Sequence, residues 1–203
     1  MRLPLTVVDN FFETPTLVRN FALQQEFFKG DRGNWPGIRT NFIEDLDRDL
    51  FNAIHDKLLN YIPRNYKGFQ HLEATFQLID ETYGEGWVHN DDPKWNVAGI
   101  IYLNNIKPKQ QCGTTFFDDR DTSQDIVYSN EFQSDVNSDP DQRNKHPELR
   151  QQIRDRWVHS MIAENRWNRC VISDSTRWHS AGRFFGHNKE TSRLTLVFFG
   201  RVI

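Results

Sequence analysis

The spacing of hydrophobic positions along this chain changes near residue 70. Before that point it is helical. Leu17, Phe21, Phe27 and Phe28 fall along one side of a stretch from about 15 to 28. Thr14-Pro15 opens that stretch, a capping residue followed by a proline at the first helical position. Leu46, Leu50, Ile54, Leu58 and Tyr61 recur near a 3.6-residue period and predict a second amphipathic helix over about 45–61. A short strand is predicted at 5–9, and Gly33-Asn34-Trp35-Pro36-Gly37 centres a loop between the two helices.

Beyond residue 70 the pattern becomes short β-branched and aromatic runs separated by turn residues. Predicted strands cover 72–80, 86–90, 96–103, 114–118, 157–164, 168–174, 177–181 and 192–200. Many short strands without β-α-β alternation predict a mainly β (α+β) fold, a jelly-roll of the cupin type. Residues 71–203 would form that core and residues 1–70 a helical brace outside it. One segment breaks the pattern, at about 118–147, acidic at Asp118, Asp119, Asp121, Asp125, Glu131, Asp135, Asp139 and Asp141. It reads as a solvated surface insertion, with a lid over the mouth of the barrel as the functional alternative. Pro147 then opens a short helix carrying Leu149 and Ile153.

Composition narrows the function classes. A chain of 203 residues predicts one domain, 1–203, large enough for a real core. A formal charge of -3, with the acidic segment, argues against a nucleic-acid partner. No apolar run approaches membrane-spanning length, and Met1-Arg2-Leu3-Pro4 lacks the apolar region of a signal peptide, so a cytoplasmic protein is expected. Cys112 and Cys170 lack metal-ligand spacing and are expected to be reduced; the sequence leaves a disulfide open.

The candidate chemistry centres on Trp87-Val88-His89-Asn90-Asp91-Asp92. On an extended backbone His89 and Asp91, two apart, project to one face, and Asp92 to the other. An imidazole and a carboxylate presented together are two parts of the 2-His-1-carboxylate set that binds non-haem iron. His179, within Thr176-Arg177-Trp178-His179-Ser180-Ala181-Gly182, can supply the third ligand. In the last strand Arg193, Thr195 and Val197 share one face while Leu194, Leu196 and Phe198 take the other. An inward arginine is costly unless it meets an anion, and its fork suits a carboxylate; the structural alternative is an ion pair with Asp174. Tyr102 shares a face with Ala98 and Ile100, a small-residue wall with one phenol. Trp87, Trp178 and Arg183 flank the ligands and could touch substrate, although packing is the simpler role for the tryptophans. Asn90 and Ser180 could support the ligands.

The order H-x-D (His89, Asp91), Tyr102-Leu103-Asn104, Gly113-Thr114-Thr115-Phe116, His179, then Arg193-Leu194-Thr195 resembles the Fe(II)/2-oxoglutarate-dependent dioxygenases, in particular the prolyl-hydroxylase-like subset. The resemblance spans roughly residues 72–200. It implies a double-stranded β-helix, with His89, Asp91 and His179 holding Fe(II). It also implies that Arg193 binds the distal carboxylate of 2-oxoglutarate as co-substrate, with Tyr102 and Thr195 beside it. The implied reaction is hydroxylation of a C–H bond on a peptidyl residue, amino acid or small metabolite, with release of succinate and CO2. Three features depart from the family pattern. Cys112-Gly113 stands where Gly-Gly is usual. Arg193 follows His179 by fourteen residues, with Gly186-His187-Asn188-Lys189 expected to protrude as a hairpin. Ile79 or Gln77 falls where many prolyl hydroxylases carry a tyrosine. The alternatives are a non-catalytic metal-binding β-helix module and a cupin-type metalloprotein that does not use 2-oxoglutarate. Cupins generally present H-x-H, which disfavours the latter.

Overall fold

The computed structural model describes residues 3–29, 35–105, 111–118, 135–137, 139 and 145–203. In chain order these form β1 (Thr6–Val8), α1 (Pro15–Gln24), β2 (Ile38–Arg39), α2 (Ile43–Leu46), α3 (Arg48–Leu59), β3 (Phe69–Ile79), β4 (Val97–Tyr102) and β5 (Thr114–Asp118). Then follow α4 (Pro147–Asp155), β6 (Val158–Ala163), β7 (Cys170–Ser173), β8 (His179–Ala181) and β9 (Arg193–Val202). The strands make a six-stranded sheet, in the order β1-β7-β4-β9-β3-β2, and a three-stranded sheet, β6-β5-β8. Their pairings are antiparallel, so the mainly β expectation holds.

The period of two decides what each face of the large sheet does. Leu72, Ala74, Phe76 and Leu78 of β3 and Leu194, Leu196 and Phe198 of β9 enter the main core, where Ile54 and Leu58 of α3 and Val18 and Ala22 of α1 cover them. Each such side chain contributes roughly 1.5–3 kcal/mol by leaving water. A one-residue slip would exchange the faces, so these aliphatics fix the register. The opposite face is then set as rows. Gln77, Thr195 and Tyr102 lie side by side, as do Thr75, Val197, Ile100 and Val171. That face turns toward the small sheet, which it meets through a cluster of Tyr102, Phe116, Ala163 and Val171.

The helical brace differs from expectation in two respects. α1 ends at Gln24, with Leu17 65% exposed and Phe28 42% exposed, and it buries Val18, Arg19 and Ala22 instead. Arg19 must face inward because its guanidinium donates to Leu103 O (3.1 Å) and Glu190 O (2.8 Å), and this turns Leu17 outward. The chain is extended from Gln25, and Phe28 exchanges backbone hydrogen bonds with Arg39. The helix expected over 45–61 is two helices, divided at Asp47, whose extended backbone ends α2 and whose carboxylate accepts from Leu50 N at the start of α3.

The run 86–90 is not a ladder strand. It touches its neighbour at isolated bridges, Glu85 to Arg183 and His89 to His179. The turn before Arg193 does not protrude freely: Lys189 Nζ donates to Gln25 O (2.8 Å) and lies over the Phe27 ring, docking it on the end of α1. Cys112 and Cys170 are buried, and no disulfide joins them. Most of the acidic stretch at 118–147, and with it the insertion and lid readings, lies outside the described residues. Among the described residues no helix is long and apolar enough to cross a membrane.

Candidate active site

Trp87 and Val88 are buried with Phe117 of β5 and Ile153 of α4, which pins the chain just before His89. His89 N then donates to His179 O (2.9 Å) and His179 N to His89 O (2.8 Å). Two residues on, Asp91 N donates to Ser175 O (2.9 Å). These backbone bonds converge three side chains that lie far apart in sequence. One ligand atom from each of His89, Asp91 and His179 lies within 4.8 Å of the others.

The hydrogen bonds of the rings say which atoms face the shared space. His89 Nδ1 lies 2.8 Å from Trp87 O, and His179 Nδ1 lies 2.9 Å from Arg177 O. A carbonyl oxygen only accepts, so both Nδ1 atoms carry a proton, and Nε2 of each ring is the atom left to face the shared space. His179 Nε2 is 3.9 Å from Asp91 Oδ2. Burial, aided by the neighbouring His179, pushes His89 down to about 4, so its ring is neutral at pH 7. Two imidazoles oriented by carbonyls, with one carboxylate, are a donor set that fits a divalent transition metal with positions left open. Asp92 does not compete, since it pairs with Lys94 and is exposed.

The three side chains line a cavity of about 930 Å³ between the sheets, with Ala98, Ile100, Thr114, Phe116 and Val197 among its walls. Arg193 also reaches it and is 2% exposed. Its guanidinium lies 5.5 Å from the Tyr102 ring centroid and 5.6 Å from that of Phe184, and burial lowers its pKa. No carboxylate among the described residues pairs with it. Asp174 is occupied elsewhere, accepting from Leu3 N and from the backbone and hydroxyl of Thr176. Tyr102 is fully buried, its hydroxyl 2.7 Å from Thr114 Oγ1, a bond that joins β4 to β5. Thr195 is fully buried too, and its hydroxyl has no partner among the described residues. Among the described residues, a buried cation that faces the Tyr102 hydroxyl but no carboxylate, and a buried hydroxyl without a partner, are features that suit an oxyanion.

Three residues not assigned from sequence belong to this constellation. Thr114 holds the Tyr102 hydroxyl. Asn104 brackets Arg193, its side chain donating to Ser192 O (2.8 Å) and accepting from Leu194 N (3.1 Å). Arg39 enters the cavity from edge strand β2. The flanking candidates resolve mainly into packing and surface pairing. Trp178 packs on Trp157 at 4.6 Å between centroids, Arg150 lies over Trp87, and Arg183 pairs with Glu85. Asn90 lines the cavity, and Ser180 is buried with its hydroxyl unbonded.

A profile for the family described as "Family of unknown function (DUF6445)" matches residues 1–199. The chain belongs to that family. No curated protein matches it in sequence. Solved structures similar to this family member share its fold at low identity. A prolyl hydroxylase from Trichoplax adhaerens, in complex with a hypoxia inducible factor peptide, has a TM-score of 0.56 at 12% identity, over 97% of this chain and 83% of that one. HygX from Streptomyces hygroscopicus, with nickel and 2-oxoglutarate bound, has 0.57 at 10% identity, over 98% and 83%. A Pseudomonas putida prolyl-4-hydroxylase has 0.51 at 16% identity, over 97% and 91%. The fold is therefore that of 2-oxoglutarate oxygenases, with antiparallel sheets and few helices.

Proposed function

We propose that this chain is a non-haem Fe(II)/2-oxoglutarate-dependent oxygenase that hydroxylates a C–H bond of a small molecule or peptidyl residue. One observation carries the reading: a 2-His-1-carboxylate cluster and a buried arginine that pairs with no carboxylate among the described residues share one cavity. In this reading His89, Asp91 and His179 hold Fe(II), and Arg193 pairs with the distal carboxylate of 2-oxoglutarate. Thr195 and Tyr102 contribute hydroxyls next to it, and the two sheets are the halves of a double-stranded β-helix.

Bound Fe(II) with 2-oxoglutarate supplies the oxidising power for O2-dependent C–H hydroxylation, with release of succinate and CO2. The chain's own residues orient and shield. The carbonyls of Trp87 and Arg177 keep both Nε2 atoms aimed at one point. Asp91 supplies one negative charge and leaves the remaining positions open. Arg193, already desolvated, strengthens its attraction for an incoming carboxylate, because no bulk water screens the pair. The apolar walls of Ile100, Phe116 and Val197 exclude water from the same space.

The test is anaerobic addition of Fe(II) and then 2-oxoglutarate to the metal-free chain, followed by visible absorption. A weak charge-transfer band that requires both additions is expected. Tight iron binding with no such band would remove 2-oxoglutarate from the reading, and absence of iron binding would remove the metal as well.

A further inference from the structure

The cavity holds a second arginine that the reading above leaves without a task. Arg39 pairs in register with Gln77 of β3, whereas Arg193 lies opposite Ile79 of the same strand from β9. The two guanidiniums therefore enter from opposite flanks of β3. The Trp35 and Phe199 ring centroids lie 4.2 and 5.9 Å from Arg39 Cζ. Nε is inaccessible to solvent and has no hydrogen-bond partner, and among the described residues no carboxylate lies within ion-pair distance of the group. Asp91, a proposed metal ligand in the same cavity, is the anionic neighbour that acts on it.

We infer that Arg39 is the substrate-recognition residue of this site, receiving a carboxylate of the substrate on the edge of its guanidinium. The inference rests on the oxygenase reading, which gives Arg193 to the co-substrate. A guanidinium edge matches the two oxygens of a carboxylate, and an amide can satisfy one donor but not the charge. Glu73 and Asp91 line the same cavity and oppose a polyanion such as a phosphate ester. A monocarboxylate is the anion that this balance favours, and the Trp35 and Phe199 rings favour an apolar group next to it.

The probes are 3-phenylpropionate and 3-phenylpropionamide, titrated calorimetrically onto the full chain loaded with Zn(II) and 2-oxoglutarate. The wild type is expected to bind the acid at least about tenfold tighter than the amide, the scale of one charge-assisted bidentate contact. Arg39→Gln should erase that preference and leave 2-oxoglutarate affinity unchanged. Arg39→Lys, which keeps the charge but loses the fork, should retain part of it. A wild type without the preference, or a preference that survives Arg39→Gln in a chain shown to be folded by its thermal melt, overturns the assignment. Loss of 2-oxoglutarate affinity in Arg39→Gln also overturns it, because Arg39 then serves the co-substrate. An absent Fe(II)–2-oxoglutarate band in the wild type sinks only the oxygenase reading. The acid–amide comparison on the metal-free chain then decides Arg39 by itself.

Discussion

His89 and His179 are joined twice, by reciprocal backbone hydrogen bonds of 2.9 and 2.8 Å and by rings whose centroids lie 4.4 Å apart. The backbone bridge sets the distance between the two segments, and the Nδ1 bonds to carbonyls set the ring orientation. The pair is therefore preorganised without a metal, and removing one ring leaves the bridge intact, since the bridge is made by main-chain atoms.

That separation of roles gives the first prediction. His179→Ala should keep the fold and lose divalent-metal binding by at least about a hundredfold, because two ligands in an open site hold a metal poorly. Competition with a chromophoric chelator reads the affinity, and far-ultraviolet circular dichroism reads the fold. Retention of wild-type affinity in the variant would rule out the three-ligand assignment.

Arg193 gives a prediction whose two halves have opposite signs. In the ligand-free chain its charge is desolvated, and no carboxylate among the described residues offsets the cost. Replacement by Met, similar in volume and apolar, should leave the melting temperature of the ligand-free protein unchanged or raise it. The same variant should lose the stabilisation that 2-oxoglutarate gives the Zn(II)-loaded wild type, about 2.7 kcal/mol at a hundred times Kd. Thermal melts with and without 2-oxoglutarate measure both halves. A large fall in the ligand-free melting temperature would make Arg193 a structural residue.

Thr195 follows the same logic on a smaller scale. Its hydroxyl is fully buried and unbonded, so Thr195→Val removes an unsatisfied group at nearly constant volume. Ligand-free stability should hold or rise by up to about 1–3 kcal/mol, the cost of an unpaired buried polar group. Affinity for 2-oxoglutarate should fall several-fold. Equal affinity in the two proteins would place the hydroxyl outside the co-substrate's reach.

How much of this was legible in the sequence depended on whether a residue sat in a periodic run. Arg193 and Thr195 lie in a ten-residue strand whose alternating Leu194, Leu196 and Phe198 fix the faces, so their inward direction could be read directly. His89, Asp91 and His179 were legible as a spacing and an order, although the bridge that brings them together could not be read. The strand expected over 86–90 was wrong in detail because its order comes from main-chain bonds to His179 and Ala181, not from a ladder. Arg39 was invisible because a two-residue strand carries no period. Leu17 misled because Arg19, a charge, claims the inner face of α1 through two carbonyls, and hydrophobic spacing gives no weight to such an anchor. In the sequence Asn104 stands out only as part of a run; its grip on both sides of Arg193 depends on a contact between residues about ninety positions apart.

The last prediction concerns the edge of the large sheet and its response to pH. Asp9 follows β1 and Arg169 precedes β7, the strand that β1 pairs with. Arg169 Nε and Nη2 reach the two carboxylate oxygens of Asp9 at 2.6 and 2.9 Å, a fork that clamps the edge strand to its neighbour. The hydrogen bond from Arg169 holds Asp9 below its ordinary value of 3.8. A carboxylate whose folded pKa lies below its unfolded one binds fewer protons when folded, so it stabilises the fold at pH above the unfolded value. That contribution disappears as pH falls from about 3.8 through the lowered folded pKa. The Asp9 side chain is 51% exposed, so solvent screens the pair and limits it to about 1 kcal/mol or less. Asp9→Asn should accordingly be slightly less stable than wild type at pH 7, and the two should converge as pH drops from 4 toward 2, as measured by urea unfolding at each pH. A gap independent of pH would mean that the Asn retains what matters least and that packing at the strand end, not charge, accounts for the difference.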